Sequence, residues 1–448
     1  MKRKLGLLFL LLLVGLLIAY VLRYKTGTCI CKTIPQEADA VIQVKVRSLE
    51  RYFLHDVVLR PKSYFSSKPD SLKQKEKSDQ SSSEPSTKYQ QKVRLMDCVS
   101  LPKSLLLYRL DSIWYSSDLK IKDAVKLEQF LTDNNFKSNG SGDEKIYIKK
   151  NQKILVDQEI MKVAYKTELG TGLDFNTSEK SDFLSKGDQL FDATHSSQND
   201  IYFVDNKGQF LNINFQSGVI NIDGNYNLTT LKPSAKESST KGIGSLSAQL
   251  DFPKFIELLS DNQKNKFSNF TKLNLDSLSG HINGELSTVL TDFSTSIDTI
   301  TTYDYDDDFN KIEIKDIKES LEPSYSLLLG MDDEGIAYMK RQNAIVEQDG
   351  KDVLAIMPLV TTYSKQYQDA LYLYTSDQDI TEIQTTTSDA KFNFSFDVSQ
   401  FLDKNKSDRD NKYLEDIDSM FLTIDNENNI EGKIAFRDKR NGLVTLIR

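Results

Sequence analysis

LSAQLDFPKFIELL, residues 246–259, and FNFSFDVSQFLDKN, residues 392–405, share one pattern. In each, alternating residues run up to an Asp. An apolar residue follows, then two further residues and an aromatic–aliphatic pair. Asp251 matches Asp397, Phe255 matches Phe401 and Ile256 matches Leu402. Period-two alternation marks a half-buried strand, and an Asp at its end is a helix N-cap. The apolar pair is then the helix face that covers the sheet. Downstream, HINGEL (281–286) resembles NIEGKI (429–434), with Gly284 against Gly432. Such a glycine would mark a bulge or close approach in a returning strand. A weaker trace of the pattern is VIQVKVRSLERYF (41–53), with Lys45 in the cap position.

This pattern sets the fold class: α+β, with two mixed, largely antiparallel-sheet domains carrying short covering helices. The second domain is expected over 243–448, with an internal duplication of 246–286 and 392–436. Pro253 falls in the first turn of its helix, where a missing N–H costs little. The chain closes on MFLTIDNENNIEGKIAF (420–436), two alternating runs around a polar turn, which reads as a hairpin. Strands lie next to hairpin turns rather than in strict strand–helix–strand succession, so the sheets should be antiparallel.

The first domain is expected over 28–230. Its elements are the strand 41–46, a helix from Ser48 through Val58, and a helix from Asp123 to about Asn135 with Leu127 and Leu131 on one face. A further helix is expected over 182–195. Strands follow in DIYFVDN, QFLNINF and GVINIDGNY, punctuated by Asn-Lys-Gly and Gln-Ser-Gly turns. Residues 62–92, rich in Lys, Ser and Gln, bury too little apolar surface to offset ordering and read as a disordered insertion. Residues 230–242, TLKPSAKESSTKG, read as a linker by composition.

The N-terminus decides localisation. Residues 5–22, LGLLFLLLLVGLLIAYVL, hold no charge and no Pro, and as a helix span roughly 27 Å, close to the hydrocarbon thickness. The run is longer than a cleaved signal's apolar region and leads into Arg23-Tyr24-Lys25, which suits a retained anchor over 5–24. Charges separate Cys29 from the apolar run, which argues against a lipoprotein signal. Lys2, Arg3 and Lys4 put the tip, residues 1–4, in the cytoplasm and the bulk in the periplasm or outside the cell. The bilayer is thus an expected partner through residues 5–24. The three cysteines, Cys29, Cys31 and Cys98, leave two readings open: a bridge from Cys98 to one of the pair, or three free thiols. A net charge of −8 with interspersed signs argues against nucleic acid as a partner.

The opening layout resembles a loose class of uncharacterised bacterial exported proteins: a basic tip, a leucine-rich anchor, then a segment like IPQEADAVIQVKVRSL (34–49). Ile34, Pro35, Ala38, Ala40 and Val41 carry the likeness, which covers residues 1–58. It implies an envelope location and a mixed α+β fold, with no activity to carry over.

No motif points to a reaction, and no catalytic, cofactor-binding or metal-ligating residue is assigned. His55, His195 and His281 are scattered and lack ligand spacing. In DYDDDFNKIEIKD (304–316), Asp304, Asp306 and Asp308 match the start of a calcium loop. Phe309 stands where the turn glycine belongs and Lys315 where a bidentate Glu belongs, so a solvated hairpin turn explains the run better. Nucleophile elbows, phosphate loops and complete dinucleotide fingerprints are missing from the sequence. The sequons at Asn139, Asn227 and Asn393 fit chance in a chain this rich in Asn, Ser and Thr. The reading that remains is an anchored, non-enzymatic binding or scaffolding protein of the cell envelope. An anchored hydrolase of envelope material needs a pocket with convergent titratable groups. A carrier of a hydrophobic ligand needs an open apolar sheet face, for which Phe210, Ile213 and Phe215 are candidates.

Overall fold

A computed structural model describes residues 34–60, 93–110, 114–139, 145–157, 159–166, 183–238, 240–305, 311–356, 360–375, 385–405 and 414–447. The tip 1–4, the anchor 5–24, the insertion 62–92, Cys29 and Cys31 lie outside the described residues. Among the described residues, no helix is long and apolar enough to cross a membrane. The chain divides into two compact units, the first running up to Asn214 and taking in Leu446–Arg448 as well, the second spanning Phe215–Thr445.

The first unit is a winding antiparallel sheet. Its strands are β1 (Ala40–Val44), β2 (Val99–Ser100), β3 (Leu105–Arg109), β4 (Trp114–Ile121), β5 (Lys137–Asn139), β6 (Lys145–Lys149), β7 (Gln152–Asp157), β8 (Ile160–Lys166), β9 (Ile201–Asp205) and β10 (Phe210–Gln216). They run in the order β10–β9–β1–β3–β4–β8–β7–β6–β5, with β2 also beside β4. The helix Ala124–Asp133 begins at Asp123, whose Oδ1 accepts the Lys126 N–H at 3.0 Å, and it buries Leu127 and Leu131 as the spacing predicts. Those two pack with Cys98, Val99, Leu119, Tyr147, Ile154 and Met161. A separate cluster of Ile34, Val41, Tyr108, Leu190 and Val204 holds the other half. Two helices start elsewhere than expected. Val46–Leu59 begins at Val46, with Lys45 as a cap that makes no side-chain cap bond. Gln189–Ser196 starts after a turn at Gly187, whose φ of +105° suits only glycine.

The second unit carries β11 (Val219–Asn225), β12 (Lys236–Ser238), β13 (Gly244–Gln249), β14 (Ile282–Tyr305), β15 (Lys311–Met331), β16 (Ile345–Gln348), β17 (Lys351–Leu354), β18 (Tyr363–Tyr367), β19 (Ala370–Tyr374), β20 (Thr385–Thr387), β21 (Ala390–Asp397), β22 (Ile417–Asp425) and β23 (Asn429–Phe436). The main sheet runs β16–β17–β18–β19–β15–β14–β13–β21–β22–β23–β11, all antiparallel. β12 and β20 pair separately. The expected hairpin 420–436 is β22–β23.

Two findings correct the sequence reading here. The expected linker 230–242 is part of the second unit: Ala235 is fully buried, β12 pairs with β20, and Lys236 reaches Glu285 at 2.8 Å. Composition misled because one small apolar side chain, Ala235, and the β12–β20 pairing are enough to hold an otherwise polar segment in place. The boundary therefore falls at 214/215, since β11 pairs with β23 and belongs to the later sheet.

The second correction concerns the repeat. Asp251 and Asp397 do stand at the N-cap positions of helices, Phe252–Glu257 and Val398–Lys404. The glycines, however, fall in different elements. Gly284 lies in β14, which pairs directly with β13; Gly432 lies in β23, which pairs with β22 and β11. Gly284 has φ +93° at a register shift, where any Cβ would collide with the Leu250 carbonyl, whereas Gly432 sits in an ordinary ladder. The matching units are instead a strand, a helical segment and two strands in each half: β13, the three helices Phe252–Glu257, Asp261–Thr271 and Leu275–Ser279, β14 and β15; and β21, the helix Val398–Lys404, β22 and β23. The central order β15–β14–β13–β21–β22–β23 reads the same from either end. In the first unit β1 likewise pairs with β3 and β3 with β4, but, among the described residues, two helices and β2 stand between β1 and β3 in the chain.

Candidate functional site

The feature of the second unit that stands out is the length of the β14–β15 hairpin. Near the sheet both strands are flanked, β14 by β13 and β15 by β19. Past a register shift between Leu290 and Asp292 they pair only with each other among the described residues, through 14 successive pairs from Asp292↔Ser324 to Tyr305↔Lys311. At about 3.3 Å per residue that is a ribbon of about 45 Å. The shift leaves Thr291 as a bulge, its hydroxyl donating to the Ser324 carbonyl at 2.9 Å, and bulges bend and twist a strand where it leaves a sheet.

The ribbon's base is fixed. Phe293 meets Phe401 edge-on at 5.5 Å, Phe401 leans on Phe396 at 5.3 Å, and Lys404 reaches Asp292 at 3.0 Å. The helix that Asp397 caps thus braces the ribbon. Beyond the base, large apolar side chains stand in solvent: Ile297 is 64% exposed, Ile317 71% and Tyr303 57%. Ile297 opposes Glu319 and Thr299 opposes Ile317, so the two isoleucines are diagonal neighbours on one face. Tyr303 shares that face by alternation, and the Lys311 ammonium lies 3.5 Å over its ring centroid. Ile312, 45% exposed, falls on the other face opposite Asp304.

The best-organised polar cluster is in the first unit. The Tyr52 hydroxyl lies 3.0 Å from both carboxylate oxygens of buried Asp200. The Asp200 N–H donates to Asn214 at 3.3 Å, and Asn214 and Asn212 both bond Asn199 at 2.9 and 2.5 Å. Lys45 donates to the Ser197 carbonyl at 2.8 Å. Burial first, then the bond to Asp200, pushes the Tyr52 hydroxyl up to about 12. Burial lowers the Lys45 ammonium against the opposing pull of Asp200. A tyrosine driven away from ionisation is no nucleophile at neutral pH. The cluster ties β9 and β10 to the helix Val46–Leu59, which is a structural job.

The residues singled out in the sequence do not converge. His55 is exposed on the helix Val46–Leu59, and His195 is exposed and stacked on Phe191 at 5.8 Å. His281 pairs with Asp332 at 3.0 Å, and Asp332 caps the helix Asp333–Arg341 through the Gly335 N–H. That N–H and then the imidazole hold the Asp332 carboxyl below its ordinary range. Asp304 is at the exposed end of β14, Lys315 lies in β15, and Asp306, Asp308 and Phe309 lie outside the described residues. Among the described residues no group of three or more His, Cys, Asp or Glu side chains could hold a metal ion. Cys98 is a buried free thiol donating to the Arg94 carbonyl, and burial pushes its pKa up. Phe210, Ile213 and Phe215 do not line one face: Phe210 has the opposite parity and packs against the Ile34–Val41 cluster. A cleft of about 530 Å³ is lined by Asn135, Lys137, Ser138, Ile148, Lys149 and Lys150, without a carboxylate. A smaller one of about 180 Å³ includes Glu128 and Asp157, and Glu128 is held by Lys145 at 2.8 Å.

The sequence reading missed Ile297, Tyr303 and Ile317. The signal was present in TDFSTSIDTITTYDY and KIEIKDIKESLEP: two long, β-branched, alternating runs without glycine. Only the acidic tip between them drew notice. No family model, no curated protein and no solved structure matches the chain.

Proposed function

We propose that the chain is a membrane-anchored, extracytoplasmic binding or scaffolding protein of the cell envelope, and that the β14–β15 ribbon is its contact surface. The observation behind this is that three large apolar side chains on one face of the ribbon, Ile297, Ile317 and Tyr303, remain more than half exposed among threonines and charged residues. Exposed apolar surface costs solvation, and large apolar side chains left in solvent on one face suit a partner that covers them. A two-stranded ribbon is marginal on its own, so a partner that covers one face also stabilises the arm. The apolar run 5–22 supports the anchored location. The hydrolase and hydrophobic-carrier readings rank lower, because the larger cleft has no carboxylate, Glu128 in the smaller one is paired with Lys145, and Phe210, Ile213 and Phe215 do not form one face.

The test is co-purification of the intact membrane protein with its neighbours, compared with an Ile297→Ser/Tyr303→Ser variant. Loss of defined companions, with the melting temperature of the variant preserved, supports the reading. Unchanged companions would exclude the ribbon face.

A further inference from the structure

The ribbon also has an edge, and its backbone can be oriented. Outside the sheet, Thr375 follows β19 and bonds β15: its N–H donates to the Tyr325 carbonyl at 3.2 Å, the Tyr325 N–H donates to its hydroxyl at 2.9 Å, and that hydroxyl donates to the Pro323 carbonyl at 3.0 Å. On the opposite side, the carbonyls of Ser324 and Glu322 accept from Thr291 and Ser294 of β14. Odd-numbered residues of β15 therefore aim their backbone groups outward and even-numbered ones inward. The register holds without a break through Tyr305↔Lys311, so the alternation carries to Leu321, Glu319, Ile317, Lys315 and Glu313. Among the described residues nothing pairs with this outer edge from Lys311 to Glu322. Pro323, which has no N–H to offer, stands where the flanked part of β15 ends.

The sequence along this edge complements itself. Residues 315–319 read KDIKE. Laid antiparallel against a second copy and centred on Ile317, Lys315 opposes Glu319 twice, Asp316 opposes Lys318 twice, and Ile317 opposes itself. Farther out, Glu313 meets Leu321, Ile312 meets Glu322 and Lys311 meets Pro323, so no like charges meet. Shifting the centre by one or two residues spoils it. Centring on Asp316 sets Asp316 against itself and Glu313 against Glu319; centring on Lys315 or Lys318 sets that lysine against itself. Opposite charges directly across an antiparallel pair stabilise it, and like charges destabilise it. The centred register also places outward-pointing residues against outward-pointing residues, which is what a two-fold ladder needs.

We propose that two copies of this chain join edge to edge through β15, with the two-fold axis at Ile317, making a four-stranded sheet from the two ribbons. This rests on the ribbon being a contact surface but uses its edge, where the reading above uses its face. An exposed strand edge is a template for such pairing, and in this register the edge's charges attract across the two-fold axis, where other registers would bring like charges together.

The experiment is cysteine cross-linking of the full chain in its membrane, in a Cys29→Ser/Cys31→Ser background that leaves only buried Cys98. In a hydrogen-bonded pair the Cα atoms of Ile317 and its counterpart would be about 5.5 Å apart, within cross-linking reach. Ile317→Cys with a short bis-maleimide should give a dimer, at least about ten-fold above Val125→Cys, an exposed helix position. Adding Lys315→Glu should bring it down to that background, and Lys315→Glu with Glu319→Lys should restore it, which excludes misfolding as the cause of the loss. No dimer above the Val125→Cys level, or no restoration by the double swap, overturns the proposal. Ile297→Ser should leave the cross-link intact, so failure of the edge and failure of the face are read separately.

Discussion

Ser247 and Asn393 lie directly opposite each other where β13 pairs antiparallel with β21. They are also the residues that coincide when Asp251 is set on Asp397. Matched positions therefore straddle a local two-fold: Leu246 pairs with Phe394 and Ala248 with Phe392, while Leu246 matches Phe392 and Ala248 matches Phe394. The two matching units meet at this point back to back. One carries the long ribbon on its second and third strands; in the other the same strands end in the short turn after Asp425.

The two caps should not be equivalent energetically. Asp397 accepts the Gln400 N–H at 2.8 Å, and removing such a cap costs about 1 kcal/mol. Asp251 makes no cap bond and instead pairs with Lys254 at 3.2 Å. Asp397→Ala should lower the urea midpoint clearly and Asp251→Ala much less. Equal losses would mean that the two helices depend on their caps alike.

Gly284→Ala should be among the most damaging single-methyl additions in the second unit. Its φ is +93° and the new Cβ would strike the Leu250 carbonyl, so a loss of about 1–3 kcal/mol is expected from backbone strain alone. Gly432→Ala adds a methyl 2.9 Å from the flexible Leu422 Cδ1, without a left-handed backbone, and should cost less. Thermal unfolding of the pair decides it, and the reverse order would restore the equivalence of the two glycines.

Alkaline pH should weaken the first unit through Tyr52. Its folded pKa is raised to about 12 from an ordinary 10.0, by burial and then by Asp200. A raised pKa contributes stability that is complete below the unfolded value and is lost as pH rises through the folded one, so the window is pH 10 to 12. Lys45 acts in the opposite sense. Its folded pKa is lowered, so its unfavourable contribution fades as pH rises towards 10.5. Tyr52→Phe should be less stable than wild type at pH 8 and lose less than it between pH 10 and 12. Parallel denaturation curves for both proteins would contradict the assignment.

Much of the fold was legible because local chemistry and tertiary structure agree there. Asp123 with Leu127 and Leu131, the Asn-Lys-Gly and Gln-Ser-Gly turns at Gly208 and Gly218, and the hairpin around Asp425 all appear where periodicity and turn residues place them. The downstream repeat was misread because a glycine between polar and apolar neighbours looks alike in a bulge and in a plain ladder. Only pairing partners separate Gly284 from Gly432. The ribbon was missed for a different reason. Its strands carry Ser, Thr and acidic residues in place of a strongly apolar face, and nothing local in Ile297 or Ile317 says that no other strand will flank them.

Calcium should add no stability. The 304–316 run has Phe309 where a calcium loop turns on glycine and Lys315 at its closing ligand position. A ligand that binds only the folded state raises the melting temperature by mass action. A calcium-dependent rise abolished by Asp306→Ala would overturn this expectation.

The central claim is that the face of the ribbon meets another protein outside the cytoplasm. The most direct measurement places a photoreactive amino acid at Ile297 or Tyr303 of the full chain in living cells, with Val125, 79% exposed on the helix Ala124–Asp133, as the control position. The account expects discrete adducts of the same mass from both ribbon positions and none from Val125. Diffuse or absent adducts from the ribbon, or the same adduct from Val125, would contradict it.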